Sequence, residues 1–222
     1  MRTVAIIQAR VGSTRLPGKV LLDLCGRPVL ERVVARVQRC EVLDDVAIAT
    51  STKPEDDVIE TLGRSLGVPV DRGSELDVLD RYVLAARELR AEIVVRITAD
   101  CPLTDPEVTA DVVRALCAGR FDFASNAVER TYPRGLDAEA MHIDVLHRVA
   151  RLAQTPAARE HVCWFIYQEE PRLFRVRRVR DRDDNSDLAW TIDTPADLDR
   201  MRRLYDDEAD YRELIARERR TA

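Results

Sequence analysis

VAIIQARVGSTRLPGK, residues 4–19, changes character half-way along. Val4 to Ile7 form an apolar run long enough for a buried strand and too short for a buried helix. Gly12, Ser13, Pro17 and Gly18 then break regular structure, while Arg10, Arg15 and Lys19 gather positive charge. No carboxylate falls between Met1 and Leu22, although the chain holds 40 acidic residues against 35 basic ones. Backbone amides freed by glycine, a hydroxyl and forked guanidinium groups suit a polyphosphate. A solvated basic loop is the plainer alternative. The stretch is not a P-loop: one residue too many separates Gly12 from Gly18, and Val20 stands where the magnesium-binding Ser or Thr belongs. Leu16, preceding Pro17, is biased away from helix, so no helix is expected to begin at Lys19.

Outward from this stretch the chain alternates. Val29–Val37 has the spacing of a helix face and Val46–Thr50 reads as a strand. Glu55–Leu66 reads as a helix closed by Gly67, followed by a short strand over Val68–Val70. This β-α-β-α-β order predicts an open, mostly parallel sheet with helices on both faces, whose ligand loops lie at the carboxyl ends of the strands. Ala9–Lys19 lies at such an end.

Ile93–Ile97 predicts a strand ending in Thr98-Ala99-Asp100-Cys101-Pro102, and Ala189–Ile192 leads into Thr191-Ile192-Asp193-Thr194-Pro195. The pattern T-x-D-x-P thus occurs twice, each time at an expected strand end before a helix. Asp105 before Pro106, and Thr194 before Pro195, are the natural helix caps, which leaves Asp100 and Asp193 free for other work. Two carboxylates facing a polyphosphate loop are what Mg²⁺ needs, its remaining positions being filled by phosphate oxygens and water.

The string Q-A-R-x-G-S-T-R-L-P-G-K after an N-terminal strand resembles the signature of the cytidylyltransferases that activate acidic sugars. These include the CMP-KDO and CMP-acylneuraminate synthetases and, more closely, the spore-coat polysaccharide biosynthesis branch. The resemblance spans nearly the whole chain and implies one Rossmann-like, GT-A-like nucleotidyltransferase domain over residues 1–222. It implies that Ala9, Arg10, Gly12, Ser13, Arg15 and Lys19 hold the triphosphate of CTP, and that Asp100 and Asp193 bind Mg²⁺. R-G-S-x-x-D-V-L-D-R-Y, residues 72–82, is similar to a segment bordering the cytosine, which implies base contacts from Gly73, Ser74 and Val78; Ser74 or Asp77 also serves as an ordinary helix cap. P-R-G-L-D-x-E, within Asn126–Met141, resembles the acceptor-facing segment. Arg134 would then bind an acceptor carboxylate or phosphate, with Asp137 and Glu139 near its hydroxyls. Pro133–Gly135 as a plain tight turn is the alternative. Arg159-Glu160-His161-Val162 is similar to a segment of the same branch, which would set His161 at the acceptor; a structural histidine is the alternative.

The implied activity is transfer of CMP from CTP to an acidic sugar or related acceptor, with release of pyrophosphate, for surface polysaccharide or glycoconjugate synthesis. Arg10, Arg15, Lys19 and Asp100 would carry the chemistry. Another nucleotide, a phosphonate or polyol-phosphate acceptor, or a non-catalytic nucleotide-binding homologue are the competing readings. A glycosyltransferase would show a D-x-D motif at the end of a central strand, and none stands there.

The remaining features bound these readings. A net charge of −5 argues against a nucleic-acid partner. Absence of a long apolar run or a basic-then-apolar leader predicts no membrane association. Five scattered cysteines without a C-x-x-C pair predict small core residues in a reducing, cytoplasmic setting. A long polar loop is expected over Asn126–Met141, helices over Asp144–Ala153, Arg159–Gln168, Pro195–Tyr205 and Tyr211–Arg219, and a half-wet edge strand over Leu173–Val179. The family habit of dimerising implies a homodimer.

Overall fold

The computed structural model describes residues 1–221. Strands β1 (Thr3–Gln8), β4 (Asp45–Ser51), β5 (Val70–Gly73) and β6 (Ile93–Thr98) are mutually parallel; β7 (Phe123–Ser125), β8 (Glu139–His142) and β9 (Val176–Arg178) complete a seven-stranded sheet. Its order is β5-β4-β1-β6-β8-β7-β9, with β8 antiparallel to both neighbours. A two-residue hairpin of β2 (Asp23–Leu24) and β3 (Arg27–Pro28) follows the first loop.

Helices α1 (Val29–Gln38), α2 (Asp57–Ser65) and α4 (Pro106–Cys117) contribute to one core, and α3 (Val78–Glu88), α5 (Ile143–Leu152) and α6 (Pro156–Glu160) to another. The strand period explains the division. Val4 and Ile6 join the α3 side, whereas Ala5 and Ile7 join the α1 side, so a run with no polar alternation is buried on both faces. A third core, built around Trp190, collects α7 (Pro195–Leu204) and α8 (Tyr211–Thr221).

After β1 the chain builds β4 and β5 on one side and then crosses to β6 on the other. The crevice at this reversal, between the carboxyl ends of β1 and β6, is where open α/β sheets bind ligands. Both the Ala9–Lys19 loop and the Thr98–Pro102 segment emerge there.

Several boundaries differ from expectation. The strand expected over Val68–Val70 begins only at Val70, because Gly67 at φ +70° is still turning the chain out of α2. A single 3-10 turn does form at Lys19–Leu21, after Gly18 adopts a left-handed conformation. Asn126–Met141 is no exposed loop: its second half is largely buried and supplies β8. Arg159–Gln168 is broken after Glu160, with Val162 at φ +34°, before a π-helical turn over Phe165–Glu169. Ala189–Ile192 joins no sheet and makes only an isolated bridge, Arg134 to Ala189. The edge strand is confined to Val176–Arg178. Asp105 and Thr194 cap their helices, Asp105 accepting from the amides of Glu107 and Val108 at 2.9 and 3.1 Å. Cys40, Cys101 and Cys163 are buried, while Cys25 and Cys117 are exposed. Among the described residues no helix is long and apolar enough to cross a membrane.

Candidate active site

A cavity of about 440 Å³ opens at the β1–β6 crevice. The loop that forms one wall is closed by its own backbone: the Gly18 amide donates to the Val11 carbonyl at 3.0 Å. Asp56 holds its near end. This carboxylate, 2% exposed, accepts from the Val11 amide at 2.7 Å and from the Ser51 hydroxyl. Sequence reading gave Asp56 no role; only the fold brings it under Val11.

Lys19 points inward to the two aspartates. Its ammonium donates to Asp100 at 2.6 Å and to Asp193 at 2.9 Å, and Arg15 reaches the same Asp193 oxygen at 2.9 Å. Asp193 comes from outside the sheet. Its segment is docked by the Ile192 amide, which donates to the Asp100 carbonyl at 2.9 Å. Burial works against charge on both Lys19 and Asp100, but their mutual attraction prevails. The lysine pKa is raised and the Asp100 pKa lowered, so both are charged at neutral pH. Cys101, beside them, is pushed well up by burial and stays a thiol.

Among the described residues no group of three or more His, Cys, Asp or Glu side chains could hold a metal. Two carboxylates that share one ammonium nevertheless lie close enough to share a hard cation. That donor set fits Mg²⁺ completed by phosphate and water.

Of the residues read from sequence, Ala9, Arg10, Gly12, Ser13, Arg15, Lys19, Val78, Asp100, Arg134, Asp137, His161 and Asp193 all line this cavity. Gly73, Ser74 and Glu139 do not. Gly73 ends β5, and a Cβ there would meet the Arg81 Cγ at 2.8 Å, so the glycine makes room for that side chain. The Ser74 hydroxyl instead accepts from the Asp77 amide at 3.2 Å, and Asp77 caps α3. Glu139 is buried on β8 and paired with Arg96, at a second cavity of about 300 Å³ that shares Arg96 and Asp137 with the first.

Arg134 is exposed, and among the described residues its guanidinium has no partner. The tight turn carrying it is also real: the Leu136 amide donates to the Pro133 carbonyl at 3.2 Å. Gly135, at φ +105°, has no room for a Cβ, which would lie 2.8 Å from the Trp190 carbonyl. Asp137 is held by a two-pronged contact from Arg130. His161 is exposed at the end of α6, and its neighbour Glu160 pairs with Arg10 at 3.4 Å.

Sequence reading missed Arg81, Arg96, Arg130 and Glu160. The signal for Arg81 was present, since it shares the helix face of Val78 and Ala85, an apolar stripe that rarely accepts an arginine.

A cytidylyltransferase family profile matches residues 4–218. The chain belongs to the cytidylyltransferase family. It is 34% identical over 224 residues to the spore coat polysaccharide biosynthesis protein SpsF of Bacillus subtilis, covering 96% of this chain and 90% of the other. It is 32% identical to a 3-deoxy-manno-octulosonate cytidylyltransferase of Anaeromyxobacter dehalogenans, over 92% and 98% of the two chains. A solved cytidylyltransferase from Leptospira borgpetersenii superposes with a TM-score of 0.95 at 31% identity, covering 100% and 95%. The expected family and fold are thereby established, and a cytidylyltransferase uses CTP.

Proposed function

We propose that this cytidylyltransferase transfers CMP from CTP to a hydroxyl of an acidic sugar or related acceptor, for surface polysaccharide or glycoconjugate synthesis. The observation that carries the reading is the convergence of Arg10, Arg15 and Lys19 on a cavity that also holds Asp100 and Asp193. The acceptor oxygen forms a bond to the α-phosphorus, and the bond from that phosphorus to the bridging oxygen breaks, releasing pyrophosphate. Such a transfer asks the protein mainly for position and charge neutralisation. Arg10, Arg15 and Lys19 bind the triphosphate and offset the charge that gathers on the departing pyrophosphate. Asp100 and Asp193 would hold Mg²⁺, which would supply further charge neutralisation on phosphate oxygens. Arg134, unpaired among the described residues, takes the acceptor's anionic group. Asp137, fixed by Arg130, accepts from its hydroxyls, and His161 lines the same cavity.

Thermal unfolding with CTP, UTP, GTP and ATP, each with and without Mg²⁺, tests the reading without an acceptor. A ligand specific to the folded state raises the midpoint by mass action, so millimolar CTP with Mg²⁺ should give the largest rise. No rise with any nucleotide would remove the loop's assignment. Pyrophosphate release then serves to screen acidic sugars against phosphonates and polyol phosphates.

A further inference from the structure

The backbone of the basic loop is tied to the rest of the fold at one point. Among the described residues, the backbone from Arg10 to Pro17 makes one hydrogen bond outside the loop, from the Val11 amide to the Asp56 carboxylate at 2.7 Å. The Val11 carbonyl is taken as well, by the Gly18 amide at 3.0 Å. The two peptide groups that meet at Val11 are therefore both held, and they set the direction in which the chain enters residues 12–17. Beyond Val11 the amides of Gly12, Ser13, Thr14 and Arg15 have no acceptor among the described residues, and all four residues line the main cavity. Successive free amides in one loop are donors for an anion.

Asp56 is itself fixed. It is 2% exposed, ends the 3-10 turn Pro54–Asp56 that leads into α2, and accepts from the hydroxyl of Ser51 at the end of β4. That hydroxyl in turn accepts from the Lys53 amide at 3.1 Å. The side-chain contacts of the loop are of another kind: Arg10 to Glu160, Arg15 to Asp193, and Lys19 to Asp100 and Asp193. They use the cations that a triphosphate would engage, whereas the Asp56 contact uses none of them, and Asp56 does not line the cavity. Nor is its charge what the loop needs. Glu55 and Glu75 already flank Gly12, at 3.5 and 3.7 Å from where a Cβ would stand, and a third negative charge beneath the loop opposes a polyanion. What Asp56 supplies is a hydrogen-bond acceptor in a fixed place.

We propose that Asp56 is a positioning residue for the nucleotide: by holding the Val11 amide it keeps the amides of residues 12–15 arranged for the pyrophosphate portion of CTP, which it does not touch. The inference rests on the CTP reading above and deepens it.

The test measures dissociation constants of CTP and CMP for the wild type, Asp56→Asn, Asp56→Glu and Asp56→Ala, with circular dichroism giving the folded fraction. In Asp56→Asn the carboxamide oxygen can still accept from Val11 while its amide donates to the Ser51 hydroxyl, so CTP affinity should stay close to that of the wild type. Asp56→Ala should weaken CTP by about tenfold to a hundredfold, the span for losing one hydrogen bond to a charged group, and leave CMP affinity as it was. Asp56→Glu keeps the charge but displaces the acceptor by one methylene; it should follow Asp56→Ala, and it carries the same test if the alanine variant does not fold. An Asp56→Asn as weak as Asp56→Ala, an Asp56→Glu as tight as the wild type, or equal weakening of CTP and CMP would overturn the assignment while leaving the CTP reading intact. A wild type that binds neither nucleotide would overturn both.

Discussion

At the loop end of the cavity, Arg10 and Arg15 stand with side chains 41% and 66% exposed; Arg15 and Lys19 meet the two aspartates, while Arg10 pairs with Glu160. At the β8 end, Arg96 is paired with Glu139 and Arg130 with Asp137, so each guanidinium already has a carboxylate of its own. The first arrangement holds cations ready for a ligand of high negative charge. The second presents nearly neutral, hydrogen-bonding walls. Under the proposed function, these two cavities, which share Arg96 and Asp137, would take the triphosphate and the acceptor side by side.

The contrast can be broken most severely on the β8 side. Glu139, with a side chain 3% exposed, neutralises Arg96. Glu139→Gln should cost about 3 kcal/mol of stability, the usual order for a buried pair that loses one partner, and urea unfolding measures it. On the loop side, Lys19→Ala should lower stability by leaving Asp100 unpaired and lower the rate of CMP transfer, measured on the folded fraction, by about 10²–10³, the effect of removing one charge-stabilising donor. A variant with near-normal turnover would exclude Lys19 from the reaction. Arg134→Ala sharpens the comparison, since it should raise the acceptor KM about tenfold to a hundredfold while CTP affinity holds. Equal losses for both ligands would show that the two ends are not separate.

The smallest effect concerns pH. The folded-state pKa of Asp100 lies below its ordinary value of 3.8, so its contribution to stability is complete above that value and is lost as pH falls below it. Lys19 lies above its ordinary 10.5, so its contribution is complete below that value and is lost as pH rises through the folded pKa. The Tm gap between wild type and Asp100→Asn should therefore stay flat near neutrality and close in acid below 3.8. A gap that persisted unchanged at low pH would mean that the Lys19 contact adds no stability.

The loop end was legible because its features are local. An apolar run too short for a helix, the break in regular structure at Gly12–Gly18 and the caps Asp105 and Thr194 each depend on a few adjacent residues. The β8 end was not. Asn126, Asp137 and Glu139 look like a polar loop until Leu136, Arg130 and Arg96 are brought to them from elsewhere in the fold. Arg96, inside the apolar run Ile93–Ile97, was the available hint that a buried carboxylate lay opposite. Asp193 was recognisable by its repeated motif. The strand expected before it was not formed, because the Ile192 amide bonds the Asp100 carbonyl and the segment joins no sheet. Gly73 was noticed for the right local reason, lack of a side chain; the side chain it makes room for, Arg81, lies one helical turn beyond the cap of α3.

Gly135 bears on how the molecule is assembled. On either side of it the Arg134 amide donates to the Leu188 carbonyl at 2.9 Å and the Trp190 amide to the Arg134 carbonyl at 2.6 Å. This clasp joins segments far apart in the chain, and contacts of that kind form late, after the loop between them has been ordered. Strands β1, β4, β5 and β6, with the basic loop and Asp100, all precede Asp193 in the chain and can order before it. The Asp100–Asp193 pair is completed only when the C-terminal segment docks on Gly135.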